Sequence, residues 1–358
     1  MTVQERATLV DSPTEYQALV MVADGQMRLE PRQITTLLPG QVVIDVTATG
    51  ICGSDVHGLS GTTGRRKVGQ VMGHETAGVV VDVGPEVDPA LLGERVTINP
   101  VHSCGLCAAC LAGQEQQCET GWVLGVRPDI DAAFANRVTV PASNIVILPP
   151  AMPTWHGALV EPLAVGYHAV RRGDTRATDR VLVIGGGPIG QAVVVGCRRE
   201  GVEALVVTEL DTGRSDIVRK LGAPVVLPER LDHAIDEYLN GAPTLVFDAV
   251  GSSETLRTAV KCSQRGARIV LVGMASPTQT LDSYDVSVCE RAIIGTFCYS
   301  FEHFRSTVAW LAEHPDLPDL LVDRIASLDD GPDVFNALIA GTLHANKVLL
   351  SPLADLAR

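Results

Sequence analysis

The sequence predicts a two-part α/β protein, in which a barrel of short strands precedes a parallel sheet covered by helices. Three observations support this prediction. The first half contains short β-branched runs punctuated by Gly and Pro, such as 41–47 (QVVIDVT) and 77–83 (AGVVVDV). From about residue 181, strand-like runs alternate with helical stretches. A glycine-rich turn at 185–190 stands between the first of these strands and its helix.

Each element follows from its local pattern. Residues 94–98 resemble the earlier strands, and many short strands separated by turn signals are typical of a distorted barrel. In the second half, buried-strand runs and amphipathic stretches form βαβ units, which require a parallel sheet. The expected strands are 181–184, 204–208, 225–227, 244–249, 268–272 and 292–295. A helical stretch is expected from the glycine-rich turn to residue 200, and further helices at 214–221, 231–239 and 254–262. The chain from 301 is expected to be helical and to end in an apolar strand at 347–350.

The composition indicates a globular protein and excludes some partners. The 358 residues are 46% apolar and 20% charged, which suggests two domains at roughly 100–200 residues per domain. The net charge is −14. Because phosphate binding needs a basic face, this acidity argues against nucleic acid and against a membrane surface as partners. The start of the chain lacks the apolar region of a signal peptide, so we expect a cytoplasmic protein.

Four of the nine cysteines crowd into fifteen positions, at Cys104, Cys107, Cys110 and Cys118. Four thiolates at this spacing can surround Zn²⁺ tetrahedrally, and a closed four-sulfur shell is a structural site. The alternatives are an iron–sulfur cluster, a redox role and a group without metal. Against the cluster, no Pro follows the fourth cysteine and the sequence has no second such group. The odd cysteine count argues against a disulfide scaffold.

A second, dispersed set consists of Cys52, His74, Glu75 and Glu161. Cysteine, histidine and carboxylate are the ligand types of a catalytic zinc that keeps one position open. Each residue also has a plainer interpretation when it is taken alone, because a single Cys is usually a small buried hydrophobe. A single His-Glu pair usually lies on the surface. The spacing of these four residues leaves both interpretations open.

The glycine-rich turn has the spacing Gly185-x-Gly187-x2-Gly190, directly after a strand and at the start of a helix. In a dinucleotide site, these glycines permit the tight turn, the approach of the pyrophosphate and close helix packing. Glu209 ends the next strand, where a carboxylate accepts from the ribose hydroxyls and repels a 2′-phosphate, which favours NAD. Arg214 could stack on adenine or neutralise a 2′-phosphate. The alternative is a purely structural turn.

Together and in this order, the three motifs resemble those of the zinc-dependent medium-chain dehydrogenase/reductase family, over about residues 17–350. Cys52-Gly-Ser-Asp is similar to the first catalytic-zinc element, 73–84 to the zinc signature, and the four-cysteine segment to the structural zinc loop. The resemblance implies a GroES-like β-barrel catalytic domain and a Rossmann domain with a doubly wound parallel sheet. The implied organisation is an extension at 1–16, the catalytic domain with its zinc lobe at 17–160, the Rossmann domain at 161–300 and a return to the catalytic domain at 301–358.

The resemblance also implies roles for individual residues. Cys52, His74 and Glu75 would be the nearest ligands of the catalytic zinc, and Glu161 would bind it directly or through a water. Ser54 and His57 would relay the alcohol proton to solvent. We expect the NAD contacts at Gly185, Gly187, Pro188, Ile189, Gly190, Glu209, Arg214, Val272, Gly273, Met274, Thr296, Phe297 and Cys298.

The expected function is oxidation of a secondary alcohol to a ketone with reduction of NAD. Glu161 stands where the family's classical alcohol dehydrogenases have Cys, which resembles the polyol, sorbitol and butanediol branches. Gly58 stands where sorbitol dehydrogenases often have an aromatic, and no Arg precedes Tyr299, so sorbitol itself is not favoured. The alternatives are a threonine dehydrogenase-like enzyme and a non-catalytic nicotinamide-binding protein.

The resemblance further implies two zinc ions per chain, one catalytic and one structural, together with NAD and a small-molecule alcohol. It implies a homodimer or homotetramer, formed by pairing of the edge strand of the Rossmann sheet near residues 291–297.

Overall fold

The computed structural model describes residues 15–34, 36–61 and 64–356. Contacts within it define two compact units. The first contains the described residues up to Ser103, Thr120–Leu159 and the described residues from Val322 onward. The second contains Cys104–Glu119 and Val160–Leu321. Most of the extension expected at 1–16 lies outside the described residues, and Glu15 and Tyr16 belong to the first strand.

The strands occupy mainly short segments, as the turn signals predict. In chain order they are β1 (Glu15–Ala23), β2 (Gln26–Gln33), β3 (Gln41–Gly50), β4 (Glu75–Val83), β5 (Arg95–Ile98), β6 (Val101–His102), β7 (Trp122–Val123), β8 (Arg137–Pro141), β9 (Ile145–Ile147), β10 (Val181–Ile184), β11 (Leu205–Thr208), β12 (Val225–Val226), β13 (Leu245–Asp248), β14 (Arg268–Leu271), β15 (Ala292–Gly295), β16 (Arg324–Ser327) and β17 (Val348–Ser351).

The helices lie mostly in the second half of the chain. They are α1 (Gly53–Leu59), α2 (Ala108–Leu111), α3 (Val160–Arg172), α4 (Pro188–Arg199), α5 (Thr212–Lys220), α6 (Leu231–Ala234), α7 (Ser253–Cys262), α8 (Ser283–Ser287), α9 (Phe301–Ala312), α10 (Leu317–Leu321) and α11 (Gly331–Ile339). Among the residues described, no helix is both long and apolar enough to cross a bilayer.

The first unit is built around a mostly antiparallel sheet with the order β16-β17-β3-β4-β5-β9, in which β8 also pairs with β3. The pairing of β3 with β4 shifts register between Val43 and Ile44 and again between Val46 and Ala48. Such bulges increase the local twist, which helps a sheet to curve into a barrel. Strand β17 pairs with β3 through Leu349 and Gly50, which brings Val348 beside Ile51, shortly before α1.

The second unit contains a six-stranded parallel sheet with the order β12-β11-β10-β13-β14-β15, which confirms the expected doubly wound sheet. All residues of β10 are buried, as strands covered by helices on both faces require. The order reverses between β10 and β13, and ligands of such sheets bind in the crevice at the carboxyl ends of the strands at this point. This places the glycine-rich turn, which follows β10, at the expected ligand crevice.

The four-cysteine lobe, residues 104–119, groups with the second unit by its contacts, and its place in the catalytic domain stays a prediction. Contacts with two helices of the second unit account for this grouping. The Glu115 carboxylate accepts a hydrogen bond from the backbone N–H of Phe301, and Gln116 lies against His168 of α3. By the same contacts α9 and α10 group with the second unit, and the first unit resumes at Val322. The expected domain boundaries at 160 and 300 stay predictions.

Candidate active site and metal centres

The four cysteines of the lobe lie close enough to bind one metal ion. The Sγ of Cys110 is 3.5 Å from that of Cys107 and 3.9 Å from that of Cys104. All four sulfur atoms, including that of Cys118, lie within 4.8 Å of one another. A tetrahedron with Zn–S bonds of about 2.3 Å has S–S edges of about 3.8 Å. The cluster therefore fits the closed four-sulfur site that its spacing predicts.

Backbone N–H groups of the lobe support the thiolate form of these cysteines. Leu106 and Cys107 donate to the Sγ of Cys104 over 3.4 and 3.3 Å, and Cys104 donates to the Sγ of Cys118 over 3.3 Å. The hydrogen bonds from Leu106 and Cys107 lower the pKa of the Cys104 thiol. Since the thiolate is the metal ligand, the lobe's backbone favours metal binding.

The second donor group lies in the first unit. Cys52 directly precedes α1, His74 directly precedes β4, and Glu75 is the first residue of β4. Their ligand atoms lie within 4.8 Å of one another. His74 and Glu75 are buried, whereas Cys52 is partly exposed. One sulfur, one nitrogen and one carboxylate oxygen fit Zn²⁺ and leave one position for a further ligand. The geometry is consistent with the prediction that Cys52, His74 and Glu75 bind zinc.

Asp55, which the sequence analysis did not single out, joins two members of this group. Its Oδ2 accepts from the backbone N–H of Cys52 over 3.2 Å, and its Oδ1 lies 3.5 Å from Nδ1 of His74. Arg66 approaches the same Oδ1 to 3.7 Å, and all atoms of the Asp55 side chain are buried. Burial opposes the charge of Asp55, but His74 and Arg66 outweigh it and lower its pKa. A carboxylate on the far nitrogen of a ligand histidine fixes the orientation of its ring.

Lys347 is a second residue that sequence reasoning missed. Its Nζ donates to both carboxylate oxygens of Glu75 over 2.8 Å and to the carbonyl of Ile51 over 3.2 Å. Pairing of β17 with β3 puts Lys347 at this position. The buried Lys347 ammonium group therefore compensates the Glu75 carboxylate.

The other residues expected to be catalytic occupy different positions. Ser54 and His57 lie on α1 and are exposed. Gly58 follows them, and a Cβ added there would lie 2.5 Å from Cγ of Arg66, so the missing side chain leaves room for this arginine. Glu161 is a buried residue in the first turn of α3. The roles of Ser54, His57 and Glu161 stay predictions.

The glycine-rich turn has the local geometry of a dinucleotide loop. Gly185 has a φ of 95°, which favours glycine, and a Cβ added to Gly190 would lie 1.9 Å from the carbonyl oxygen of Gly185. Gly187 is the N-cap of α4, and only the end of Arg214 lies near its missing Cβ, at 3.8 Å. Pro188 is the first residue of the helix. Backbone N–H groups at this helix start suit an anionic pyrophosphate.

Glu209 directly follows β11 and turns back to the loop. Its carboxylate accepts from the backbone N–H of Gly186 over 2.7 Å and from those of Leu210 and Asp211 over 2.6 and 2.8 Å. Arg214 is exposed in the first turn of α5. Both side chains therefore lie beside the glycine-rich turn, where the sequence analysis expects the adenosine ribose.

The remaining expected cofactor residues follow neighbouring strands of the same sheet. They are Ile189, in the first turn of α4, Val272, Gly273 and Met274 after β14, and Thr296, Phe297 and Cys298 after β15. Gly273 lies against the loop after β13, because its missing Cβ would be 2.2 Å from the carbonyl carbon of Val250. Carboxyl ends of parallel strands share one edge of a sheet, so these residues lie along the edge expected to bind NAD.

Known proteins share both halves of this architecture. Residues 38–150 match the alcohol dehydrogenase GroES-like domain, and residues 188–313 match the zinc-binding dehydrogenase domain. An L-idonate 5-dehydrogenase of Vitis vinifera is 32% identical over 80% of this chain and 81% of its own length. The chain belongs to the zinc-binding medium-chain alcohol dehydrogenase family. The expected GroES-like and Rossmann architecture is thereby confirmed.

Solved structures of this family agree with the fold over nearly the whole chain. The rspB alcohol dehydrogenase of Escherichia coli CFT073, in complex with NADH, has a TM-score of 0.87 at 29% identity and covers 94% of this chain and 99% of its own. The 2R,3R-butanediol dehydrogenase of Bacillus subtilis has a TM-score of 0.84 at 28% identity and covers 94% and 100%. The chain is therefore a zinc-dependent NAD(P) dehydrogenase of the polyol and diol branch.

Proposed function

We propose that the protein oxidises a secondary hydroxyl of a polyol, vicinal diol or sugar-like alcohol to a ketone, with NAD as the hydride acceptor. The Cys52, His74 and Glu75 cluster carries this proposal, because it combines the donor types of an open zinc site in one buried group. L-idonate and butanediol, the substrates named for two relatives, both carry secondary hydroxyls next to another hydroxyl. Glu161 in place of Cys supports the same branch.

Each residue has a defined task in this proposal. Cys52, His74 and Glu75 would hold the zinc, whose chemical contribution is to lower the pKa of the substrate hydroxyl. Ser54 would accept the hydroxyl proton and His57 would pass it to solvent, which their exposed positions on α1 permit. Glu161 would bind the metal directly or through a water and so adjust the charge of the site.

The choice of NAD over NADP would depend on Glu209. A 2′-phosphate beside its carboxylate meets a like charge, and two unit charges 4 Å apart repel by about 4 kcal/mol at an effective dielectric near 20. Three backbone N–H groups hold this carboxylate beside the glycine-rich turn, where the 2′-phosphate would meet it. Solvent and Arg214 reduce the effect, and we expect a preference for NAD of about 10²-fold in kcat/KM.

The test is a panel of polyols, vicinal diols, sugar acids and L-threonine with NAD or NADP, followed by absorbance of the reduced cofactor. The proposal requires turnover of at least one polyol, diol or sugar-like alcohol and its loss in Glu161→Gln, with NADH binding retained. Turnover of L-threonine alone would favour the threonine dehydrogenase-like alternative. Absence of turnover with every alcohol, despite bound zinc and NADH, would favour a non-catalytic protein.

We also propose that two copies associate through β15, near residues 291–297. This strand is the last in the sheet order and pairs only with β14 within the described chain, so its other edge can pair with a second copy. Light scattering of the purified protein tests this arrangement. A dimer or tetramer is expected, and a monomer at micromolar concentration would contradict it.

A further inference from the structure

The four-cysteine lobe supplies a second cap to helix α9. The Oε2 of Glu115 accepts from the backbone N–H of Phe301, the first residue of α9, over 3.1 Å. The helix has its own N-cap, because the Ser300 hydroxyl accepts from the N–H of His303. Glu115 therefore satisfies a further N–H group of the first turn and places a carboxylate at the positive end of the helix dipole. These two residues are 186 positions apart in the chain.

A side-chain relay connects the same lobe to α3 and α9. Nε2 of Gln116 lies 3.5 Å from Nε2 of His168, and Nδ1 of His168 lies 2.8 Å from Nδ1 of His303. The same Gln116 nitrogen donates to Oε1 of Gln114 over 3.0 Å, which identifies it as the amide NH₂. His168 then accepts at Nε2 and donates from Nδ1 to His303. Burial lowers the pKa of both imidazoles, that of His168 to about 4.

The helix held in this way begins where the expected cofactor segment ends. Thr296, Phe297 and Cys298 follow β15, and α9 begins three residues after Cys298. Cys298 has a φ of 46°, a left-handed backbone conformation that costs a non-glycine residue energy. Such a conformation persists only where neighbouring contacts hold it. The contact of Glu115 with Phe301 fixes the start of the helix three residues after Cys298.

We propose that the four-cysteine lobe clamps the cofactor-binding segment 296–300, with Glu115 and Gln116 as positioning residues for the nicotinamide nucleotide. The lobe then has a task in the second unit as well as its own metal site. The proposal rests on the NAD site proposed above, but it adds a dependence of cofactor affinity on two side chains that do not touch the cofactor. Loss of the clamp lets the segment leave its strained conformation, and the cofactor must then reorder it on binding.

The experiment compares Glu115→Ala, Glu115→Gln and Glu119→Ala in the full-length zinc-loaded protein. Glu115→Ala removes the acceptor, and we expect the Kd for NADH to rise about tenfold, the effect of one charge-assisted hydrogen bond. Glu115→Gln keeps a carbonyl acceptor and should stay within threefold of wild type. Glu119→Ala removes the same charge from an exposed position of the lobe and should leave the Kd unchanged. Fluorescence titration with NADH measures all three.

Two further readouts separate a clamp from a general loss of structure. Hydrogen exchange at 296–301 should accelerate in Glu115→Ala, whereas zinc content should equal that of wild type. An unchanged Kd for NADH together with unchanged hydrogen exchange in Glu115→Ala would overturn the proposal. Loss of zinc from this variant would also overturn it, because the effect would then arise from the folding of the lobe. If Glu115→Ala does not fold, Gln116→Ala takes its place with the same expected directions.

The outcomes also distinguish this proposal from the proposed function. Wild-type protein that binds no NADH would refute the NAD assignment, and hydrogen exchange at residue 301 would still decide whether Glu115 clamps the helix. If wild-type protein binds NADH and the Glu115→Ala variant binds it with equal affinity, the clamp is refuted and the proposed function is unaffected.

Discussion

The ion pair of Lys347 with Glu75 gives a prediction whose size follows from the structure. The ammonium group lies 2.8 Å from both carboxylate oxygens, and the two side chains are 5% and 1% exposed. Lys347→Met removes the cation and leaves a buried carboxylate uncompensated. Breaking a buried pair from one side costs about 3–5 kcal/mol, because the remaining charge has lost both its solvation and its partner. We expect the free energy of unfolding of the metal-free protein to fall by this amount.

The double variant Lys347→Met/Glu75→Gln separates charge from packing. It removes both charges, so most of the lost stability should return. Lys261→Met, on an exposed position of α7, is the control and should change the free energy of unfolding by less than about 0.5 kcal/mol. Urea unfolding monitored by fluorescence and circular dichroism measures all variants.

The same variants can be compared with and without bound zinc. If Glu75 lies beside a bound Zn²⁺, the metal supplies positive charge that partly replaces the ammonium group. The cost of Lys347→Met should then be smaller in zinc-loaded protein than after chelation. A cost below about 1 kcal/mol in the metal-free protein, or a double variant no more stable than the single one, would refute the reasoning.

Three further predictions concern other parts of the chain. Gly190→Ala places a Cβ 1.9 Å from the Gly185 carbonyl oxygen, so NADH affinity measured by titration should fall at least about tenfold; unchanged affinity would contradict the assigned turn. Burial and the adjacent His303 lower the pKa of His168 to about 4, below its value near 6.5 in the unfolded chain. The free energy of unfolding should therefore fall by about 1–2 kcal/mol between pH 7 and pH 5. The variant His168→Asn should reduce this decline. Elemental analysis should find two zinc ions per chain in wild type and one in Cys107→Ser, which should also be less stable.

The second unit was the more predictable part because its signals are local. The run 181–184 matches β10 to the residue, since a buried parallel strand is apolar throughout and a glycine-rich turn ends it. In the first unit, the hairpin of β1 and β2 was missed, although Asp24-Gly25 is a typical two-residue hairpin turn between them. Pro31 within β2 and its mixed polarity weakened that signal.

The candidate site also combines residues that the local sequence indicates with residues that it does not. The spacing of the four cysteines predicts their metal site directly, because ligand chemistry depends on residue type. The spacing of His74-Glu75 leaves two interpretations open, and only the family resemblance implies that these residues bind zinc. Asp55 had a possible signal, since it stands three residues after Cys52, at the spacing of a helix capping box. Lys347 had none, because its contact depends on the pairing of β17 with β3, almost 300 residues apart in the chain.

The two candidate metal sites differ in how much of their structure precedes the metal. Around Cys52, the buried carboxylates of Asp55 and Glu75 are already compensated by Arg66 and Lys347, and the surrounding strands have their own apolar core. This site can therefore exist without zinc.

The cysteine lobe has no such support. Its Leu106 and Leu111 are 82% and 76% exposed, and α2 buries none of its residues. Structural zinc contributes directly to folding where little apolar core is present, so the lobe should depend on zinc for its fold. Chelation should therefore accelerate hydrogen exchange at 104–119 strongly and at 50–59 and 74–83 only slightly. Equal acceleration in both regions would show that the barrel site also requires its metal to fold. If the lobe also clamps the segment after β15, the same chelation should accelerate exchange at 296–301, because the metal that folds the lobe would indirectly order the cofactor segment.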